Sequence, residues 1–227
     1  MSHRQFKERI YSQFARVGHA LANDRRLELL DLLAQGPRHV DALSVEMEIP
    51  IANVSQHLQV LRNARLVESD REGTKVIYRL ADEGVLRLWL ALRSVAESRL
   101  AEVRQIVEEF AIEGVKDSTL PRGELRELLE KDEVFLIDVR PTLEYEHGHL
   151  PGAVSMPVDE LPQRLGELPD DKIIVAYCRG SYCLFADEAV AFLREKGYEA
   201  NRMEGGWEEW WVEEPPAVEL KRTGQPI

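Results

Sequence analysis

Two cysteines five positions apart, Cys178 and Cys183, are the only thiols of the 227-residue chain. The first follows an apolar run over 173–177, and a helical pattern over 184–196 follows the second. A cysteine in such a strand-to-helix loop lies among backbone N–H groups and near a helix N-terminus, and both favour the thiolate over the thiol. We therefore predict that Cys178 is a low-pKa thiolate that can carry an anionic adduct.

Cys183 admits two interpretations, which the sequence leaves open. It is a small buried residue at the start of a helix, as free cysteines often are. Alternatively, it is a resolving thiol that attacks a persulfide or sulfenate on Cys178 and leaves a disulfide or polysulfide bridge. A secreted disulfide scaffold would carry more cysteines, spread more widely, so the pair indicates a reactive site.

Two further motifs frame these cysteines. The run DVRPTLEYEHGHLPGA begins at Asp138, and EGGWEEW begins at Glu204. Taken in order with the segment CRGSYC between them, they resemble a single rhodanese domain over roughly residues 116–213. The resemblance implies that Cys178 takes a sulfane sulfur from a donor, becomes a persulfide and passes the sulfur to an acceptor.

The resemblance also assigns roles around the cysteines. It implies that Asp138 and Arg140 brace the loop. The loop departs from the family's commonest pattern, because Gly180 stands third rather than fourth and a cysteine closes the loop. Side chains that could hold an anion are then limited to Arg179 and Ser181, which disfavours thiosulfate as a substrate. The candidate catalytic residues are Cys178, Arg179, Cys183, Asp138 and Arg140. The candidate substrate-binding residues are Gly180, Ser181 and Tyr182.

A segment in the first half of the chain has the pattern of a DNA reader. A helical pattern over 51–64 has one apolar and one polar face, and two strand patterns joined by a turn over 70–74 follow it. A recognition helix needs an apolar face for docking and a polar face for base edges and phosphates. The apolar residues of this helix are Val54, Leu58 and Leu61.

The run VSQHLQVLRNARLV followed by GTKVIYRL resembles the ArsR/SmtB family of dimeric winged helix-turn-helix repressors, over roughly residues 10–110. The resemblance implies a homodimer formed largely by the first and last helices of this domain, with double-stranded operator DNA as partner. It also implies that the wing lies near the minor groove or the DNA backbone. The predicted DNA-binding residues are Asn53, Ser55, Gln56, Gln59, Arg62, Arg71 and Lys75.

The metal sites of that family are absent from this sequence. Its metal sensors use cysteines on the helix before the recognition helix, or histidine and acidic residues on the last helix. Residues 40–48 contain no cysteine and residues 85–110 no histidine, and soft metal ions need thiolate or imidazole ligands. A site formed by both cysteines with His147 and His149 is the weaker alternative. We predict no metal and no cofactor.

The distribution of charge and the change from helical patterns to alternating strand and helix patterns predict two domains, over 1–112 and 113–227, with a linker over 111–119. The first domain has 16 basic and 16 acidic residues and the second 13 and 25, so we do not expect the second to touch DNA. The first is predicted to be mainly α, with one long helix over 84–110. Buried strand patterns alternating with helices predict an α/β second domain with a mainly parallel sheet.

The cellular location is predicted from two features of the sequence. No apolar run is long enough to span a bilayer, and the N-terminal segment has no apolar signal-peptide core. We therefore expect a cytoplasmic protein without a membrane partner.

Three functions fit these observations. The first is a DNA-binding regulator, a repressor, that responds to sulfane sulfur or redox state through a persulfide on its rhodanese cysteine. The second is a sulfurtransferase, with thiosulfate or a persulfide as donor, that carries a fused DNA-binding domain. The third is a DNA-binding protein whose second domain is an interaction module. Sulfur donors and acceptors, either small molecules or proteins, are the expected partners of the first two. The presence of both thiols in one loop favours the first.

Overall fold

The computed structural model describes residues 2–110, 112, 115 and 118–213. Contacts divide the chain into two units on either side of the bond between Arg93 and Ser94, earlier than the boundary that the sequence predicts. In the described residues, every helix is too short or too polar to cross a membrane.

The first unit is a helical domain with a small antiparallel sheet. Leu29, Leu30, Val54, Leu58 and Leu61 form the centre of its core, and its strands are ordered β1-β3-β2. Its elements are α1 (His3–Leu21), α2 (Asp24–Ala34), β1 (Arg38–His39), α3 (Val40–Glu46), α4 (Ile51–Asn63), β2 (Val67–Glu72), β3 (Lys75–Leu80) and α5 (Glu83–Arg99), which continues past Arg93.

The hairpin β2–β3 confirms the predicted wing. Its register pairs Glu72 with Lys75, so the turn is only two residues long, and Gly73 adopts a φ of 63°. The predicted turn over 70–74 is therefore too long, because β2 continues to Glu72. Arg79 of β3 forms cross-strand ion pairs with Glu68 and Asp70 of β2.

The second unit is an α/β domain whose sheet is parallel throughout, as predicted. Its strand order is β4-β8-β7-β5-β6, and apolar clusters cover both faces of the sheet. Its elements are α6 (Ala101–Phe110), β4 (Thr119–Leu120), α7 (Arg122–Glu130), β5 (Val134–Asp138), α8 (Thr142–His147), β6 (Val154–Ser155), β7 (Ile173–Tyr177), α9 (Phe185–Glu195), β8 (Ala200–Met203) and α10 (Trp207–Glu213).

The prediction of one long helix over 84–110 is wrong. Leu100 interrupts it between α5 and α6, although neither glycine nor proline marks the position. After this break, Val103 and Val107 of α6 line a cavity that Tyr182 also lines. Tertiary contacts of this kind outweigh local helix propensity.

We predict that Gly73→Ala lowers the free energy of unfolding by about 1–2 kcal/mol, because a side chain disfavours the left-handed backbone. No other atom lies near the position of the added Cβ, so conformation alone sets the effect. Gly73→Asn is the control and should cost less, since asparagine tolerates this region. Urea unfolding of the two variants tests this, and an equal loss in both would contradict it.

Candidate functional site

The segment that carries both thiols, residues 178–184, is called the cysteine loop. β7 is the middle strand of its sheet, so its carboxyl end delivers Cys178 to the centre of the sheet edge where α/β proteins build their sites. α10 closes the loop from the other side, because the backbone N–H of Trp207 donates to the carbonyl of Cys178 at 3.0 Å. A Cβ on Gly206 would lie only 2.5 Å from that carbonyl oxygen and from the nitrogen of Gly180.

A buried ion pair lies beside the strand that ends in the loop. Arg140 and Asp138 are both fully buried, with Nη2 of Arg140 at 2.6 Å from Oδ2 of Asp138 and at 2.7 Å from the carbonyl oxygen of Gly148. Asp138 pairs with Tyr177 across the sheet, and the hydroxyl of Tyr177 accepts the backbone N–H of Leu150. These contacts join the motif that begins at Asp138 to the residue before Cys178.

Arg179 engages a carboxylate of its own domain. Its Nη2 lies 2.6 Å from Oε1 of Glu144, and the two side chains are only 12% and 1% exposed. Its guanidinium also lies over the ring of Phe185. The charge of Arg179 is thus matched within the domain, although the sequence had suggested it as a holder of a substrate anion. Glu144 lies in the motif that begins at Asp138, and the fold makes it the partner of Arg179.

The two thiols differ in their surroundings. Cys178 is fully buried and Cys183 is partly exposed, and both are free. The thiol of Cys178 donates to the carbonyl oxygen of Cys183 at 3.2 Å. Burial raises the pKa of the Cys178 thiol well above its usual value. The predicted low-pKa thiolate at Cys178 is therefore wrong, because the end of β7 lies inside the domain rather than at its surface.

Cys183 is the thiol with the lowered pKa. The main cause is the neighbouring Cys178 thiol, and the backbone N–H groups of Arg179 and Phe185 lower the pKa of Cys183 further. Groups that donate to a thiolate favour its charged form.

The middle residues of the cysteine loop face outward. Ser181 Oγ lies 3.3 Å from a carboxylate oxygen of Glu209, and the hydroxyl of Tyr182 donates to Oε1 of Glu97 in α5 at 2.7 Å. Gly180 is buried against Gly206. A cavity of about 540 Å³ borders the loop, and its lining includes Ser181, Tyr182, Leu184, Asp187 and Arg202, with Val103, Ile106 and Val107 of α6.

Sequence reasoning missed the ion pair of Arg202 and Asp187, in which Nη1 lies 2.8 Å from Oδ2. The positive charge of Arg202 also favours the thiolate of Cys178, as a smaller effect than burial. No motif pointed to these residues, which meet only when β8 packs beside α9. His149 stacks on Tyr145 at 3.8 Å. Across the described residues, no three or more His, Cys, Asp or Glu side chains are grouped as a metal site would need.

The candidate DNA interface is α4 with the wing. The apolar face of α4 is buried through Val54, Leu58 and Leu61, as predicted. Among the predicted DNA-binding residues, Ser55 is partly buried, and the exposed ones are Asn53, Gln56, Gln59, Arg62, Arg71 and Lys75.

Two of those exposed residues have partners within the chain. The Gln59 amide donates to Asn63 at 2.8 Å. Lys75 Nζ lies 3.1 Å from Oδ2 of Asp41, and this hydrogen bond is the main cause of the lowered pKa of Asp41. Lys75 must therefore leave or share Asp41 to reach a phosphate.

Comparison with known proteins matches both halves of the chain. Residues 23–69 match the bacterial regulatory protein, arsR family, and residues 122–213 match the rhodanese-like domain. An HTH-type transcriptional regulator of Mycobacterium tuberculosis is 44% identical over 218 residues, which is 96% of each chain. A sulfurtransferase of Allochromatium vinosum is 34% identical over 71 residues, covering 31% of this chain and 64% of that protein.

Among solved structures, the homodimeric winged helix-turn-helix DNA-binding domain of a Mycobacterium bovis regulator is similar to the N-terminal region. It is 46% identical with a TM-score of 0.41, and the match covers 44% of this chain and 91% of that chain.

We predict that Gly206→Ala destabilises the cysteine loop by about 1–3 kcal/mol, as expected where added atoms overfill a packed site. The atoms nearest the new Cβ belong to the loop backbone and cannot rotate away. Gly123→Ala is the matched control, since no atom lies near its Cβ position. Thermal unfolding and hydrogen exchange of the loop amides test this, and unchanged exchange in Gly206→Ala would contradict it.

Proposed function

The chain belongs to the ArsR family of bacterial regulatory proteins and carries a C-terminal rhodanese-like domain, and on that premise we propose that it is a repressor controlled by sulfur chemistry in its cysteine loop. In the thiol form it binds operator DNA as a homodimer. Reaction of the loop with sulfane sulfur lowers its affinity for DNA. Free thiols and a DNA target both suit the bacterial cytoplasm.

The surface of α4 supports DNA recognition. Gln56 and Asn53 are exposed on the side away from the core, and amide side chains of this kind make bidentate contacts with adenine. Arg62 in the last turn and Arg71 on the wing are exposed cations that suit phosphates. We therefore assign the reading of DNA bases to the amide side chains of α4. The salt-dependent part of the affinity is assigned to the basic side chains that contact phosphates.

Exposed apolar side chains support the homodimer. On α1, Phe6, Tyr11 and Phe14 are 51%, 65% and 63% exposed. On α5, Leu88 and Val95 are exposed as well. Apolar residues clustered on the surface of one chain mark an interaction site, and a second copy of the same helices would cover them.

The observation that carries the regulatory proposal is the hydrogen bond between Tyr182 and Glu97. Tyr182 precedes Cys183, the thiol with the lowered pKa, and Glu97 lies near the end of α5, whose first turn follows the wing. A change of covalent structure at Cys183 would move Tyr182, and α5 would carry the change toward the wing. Allosteric coupling of this kind usually amounts to about 1–3 kcal/mol, or about 5–150-fold in affinity.

The competing function is a tethered sulfurtransferase, which the similarity to the Allochromatium vinosum sulfurtransferase makes worth testing. The proposed regulator and a sulfurtransferase differ in turnover. A sulfurtransferase would pass many sulfur atoms to an acceptor thiol per chain, whereas a sensor reacts once and keeps the modification until it is reduced.

We predict that Gln56→Ala changes which DNA sequences the protein prefers, because it removes a base contact. Lys75→Ala should weaken binding to all sequences alike and reduce the dependence of log K on log salt by about one unit. Asp41→Asn is the counterpart and should strengthen binding, since it frees Lys75 from its ion pair. Fluorescence anisotropy with duplex DNA at several salt concentrations tests this, and unchanged affinity in all three variants would contradict the assigned interface.

We predict that Tyr182→Phe uncouples the loop from DNA. Glutathione persulfide should lower the operator affinity of the wild type by about 5–150-fold, and by less than about twofold in Tyr182→Phe, which lacks the hydrogen bond to Glu97. Tyr198→Phe is the control, because it removes a hydroxyl that donates to Leu165 elsewhere in the domain, and it should respond like the wild type. A full response in Tyr182→Phe would contradict this route of coupling.

A further inference from the structure

We infer that the cavity of about 540 Å³ beside the cysteine loop is a binding site for a small, uncharged, apolar organic molecule. The ligand is held without reacting with a thiol, since neither Cys178 nor Cys183 is among the described residues that line the cavity. The inference adds a non-covalent ligand to the second unit. It stands apart from the proposed sulfur response, and only its last test rests on the proposed function.

Several elements of the second unit border the cavity. Its lining comes from α6, from Tyr182 and Leu184 of the cysteine loop and from Thr119 of β4. Asp187 of α9 and Arg202 of β8 also line it. Pockets that hold small organic ligands usually have about 300–1,000 Å³, and the volume of this cavity lies within that range. We therefore expect a ligand with the size of one or two rings.

One face of α6 supplies the apolar wall of the cavity. Val103, Ile106, Val107 and Phe110 line it, and their spacing of three and four residues places them on one side of a helix. Ile106, Val107 and Phe110 are nevertheless 55%, 42% and 64% exposed. Covering this surface with an apolar ligand is favourable in proportion to the apolar area that is removed from water.

The charges around the cavity favour an uncharged ligand. Nη1 of Arg202 donates to both carboxylate oxygens of Asp187, at 2.9 and 2.8 Å, so these two charges of the lining match each other. Glu108 adds a further negative charge to the lining. Residues 113–227 contain 13 basic and 25 acidic side chains, and the field of this part of the chain disfavours an anion such as thiosulfate.

Tyr182 connects the cavity with α5. Its side chain is 43% exposed and lines the cavity, and its hydroxyl donates to Oε1 of Glu97 at 2.7 Å. A phenolic hydroxyl also accepts hydrogen bonds, so a ligand with one N–H or O–H group has a polar partner there. A ligand that packs against the ring of Tyr182 thus contacts the residue that links the cysteine loop to α5.

The first test measures binding of N-phenyl-1-naphthylamine, an uncharged fluorescent probe, to the full-length wild type. The matched anion is 8-anilinonaphthalene-1-sulfonate, which has the same rings and one added sulfonate. We expect one equivalent of the uncharged probe to bind per chain, and the anion to bind at least about tenfold more weakly. Fluorescence titration gives both dissociation constants. Failure of the uncharged probe to bind, or equal affinity for the two probes, would overturn the inference.

Variants of α6 locate the bound probe. Val103→Phe fills the cavity and should weaken binding at least about tenfold, because even one extra methylene in an apolar pocket is worth about 10–200-fold. Ile106→Ser removes apolar wall at an exposed position and should also weaken binding. Gln105→Phe is the matched control, since it adds the same ring to an exposed residue of α6 outside the described lining. Equal affinity in all three variants would place the probe elsewhere and overturn the inference.

A second copy of the chain is the rival occupant of the apolar face of α6. If a second copy covers this face, the probe must displace it, and dimers should dissociate as the probe binds. We expect instead that sedimentation equilibrium gives the same association constant with and without the uncharged probe. Dissociation by the probe would assign the face to a protein interface and overturn the inference.

The last test asks whether the ligand acts on DNA binding, and it rests on the proposed function. The wild type is kept reduced and without a sulfur donor, so no thiol changes its covalent state. Saturating uncharged probe should then change operator affinity by about 5–150-fold, and by less than about twofold in Tyr182→Phe, which lacks the hydrogen bond to Glu97. Unchanged affinity in a wild type that binds the probe would contradict the proposed coupling through Tyr182, whereas the binding site is decided by the earlier tests.

Discussion

The hydrogen bond from the Cys178 thiol to the Cys183 carbonyl joins the two ends of the cysteine loop, and the chemistry of the loop depends on it. Because β7 ends inside the domain, a thiolate at Cys178 would lack water, and burying an unpaired charge is costly. Cys178 therefore keeps its proton and serves as a donor. Cys183 is partly exposed, and its pKa is lowered, mainly by the neighbouring Cys178 thiol.

The charged residues near the loop are mainly matched with one another. Arg140 pairs with Asp138 and Arg179 with Glu144 in contacts that are fully or nearly buried. Removing one partner of such a pair would leave an uncompensated charge, which costs about 3–5 kcal/mol. The first pair lies at the end of β5, and the second joins the cysteine loop to α8.

Much of this arrangement could be predicted from local sequence. The apolar run before Cys178 and the helical pattern after Cys183 predict a strand, a loop and a helix, and the spacing of Val54, Leu58 and Leu61 predicts the buried face of α4. These features depend on residues close together in the chain, whose periodicity determines the face they present.

The features that could not be predicted depend on distant residues. Arg179 meets Glu144, 35 positions away, so its partner could not be read from the loop alone. The interruption at Leu100 has no local signal and accompanies the placement of α6 beside Tyr182. The order in which the thiols ionise also depends on burial, since Cys178 and Cys183 have similar neighbours in sequence but different depths in the fold.

The claim that joins these parts is that the covalent state of the cysteine loop determines DNA affinity. It is tested most directly by measuring the operator dissociation constant of one preparation of the full-length protein in three successive states: reduced, converted to the Cys178–Cys183 disulfide, and reduced again. We expect affinity to fall by about 5–150-fold in the disulfide state and to return on reduction. Equal affinity in all three states, with the disulfide verified by mass, would contradict the account.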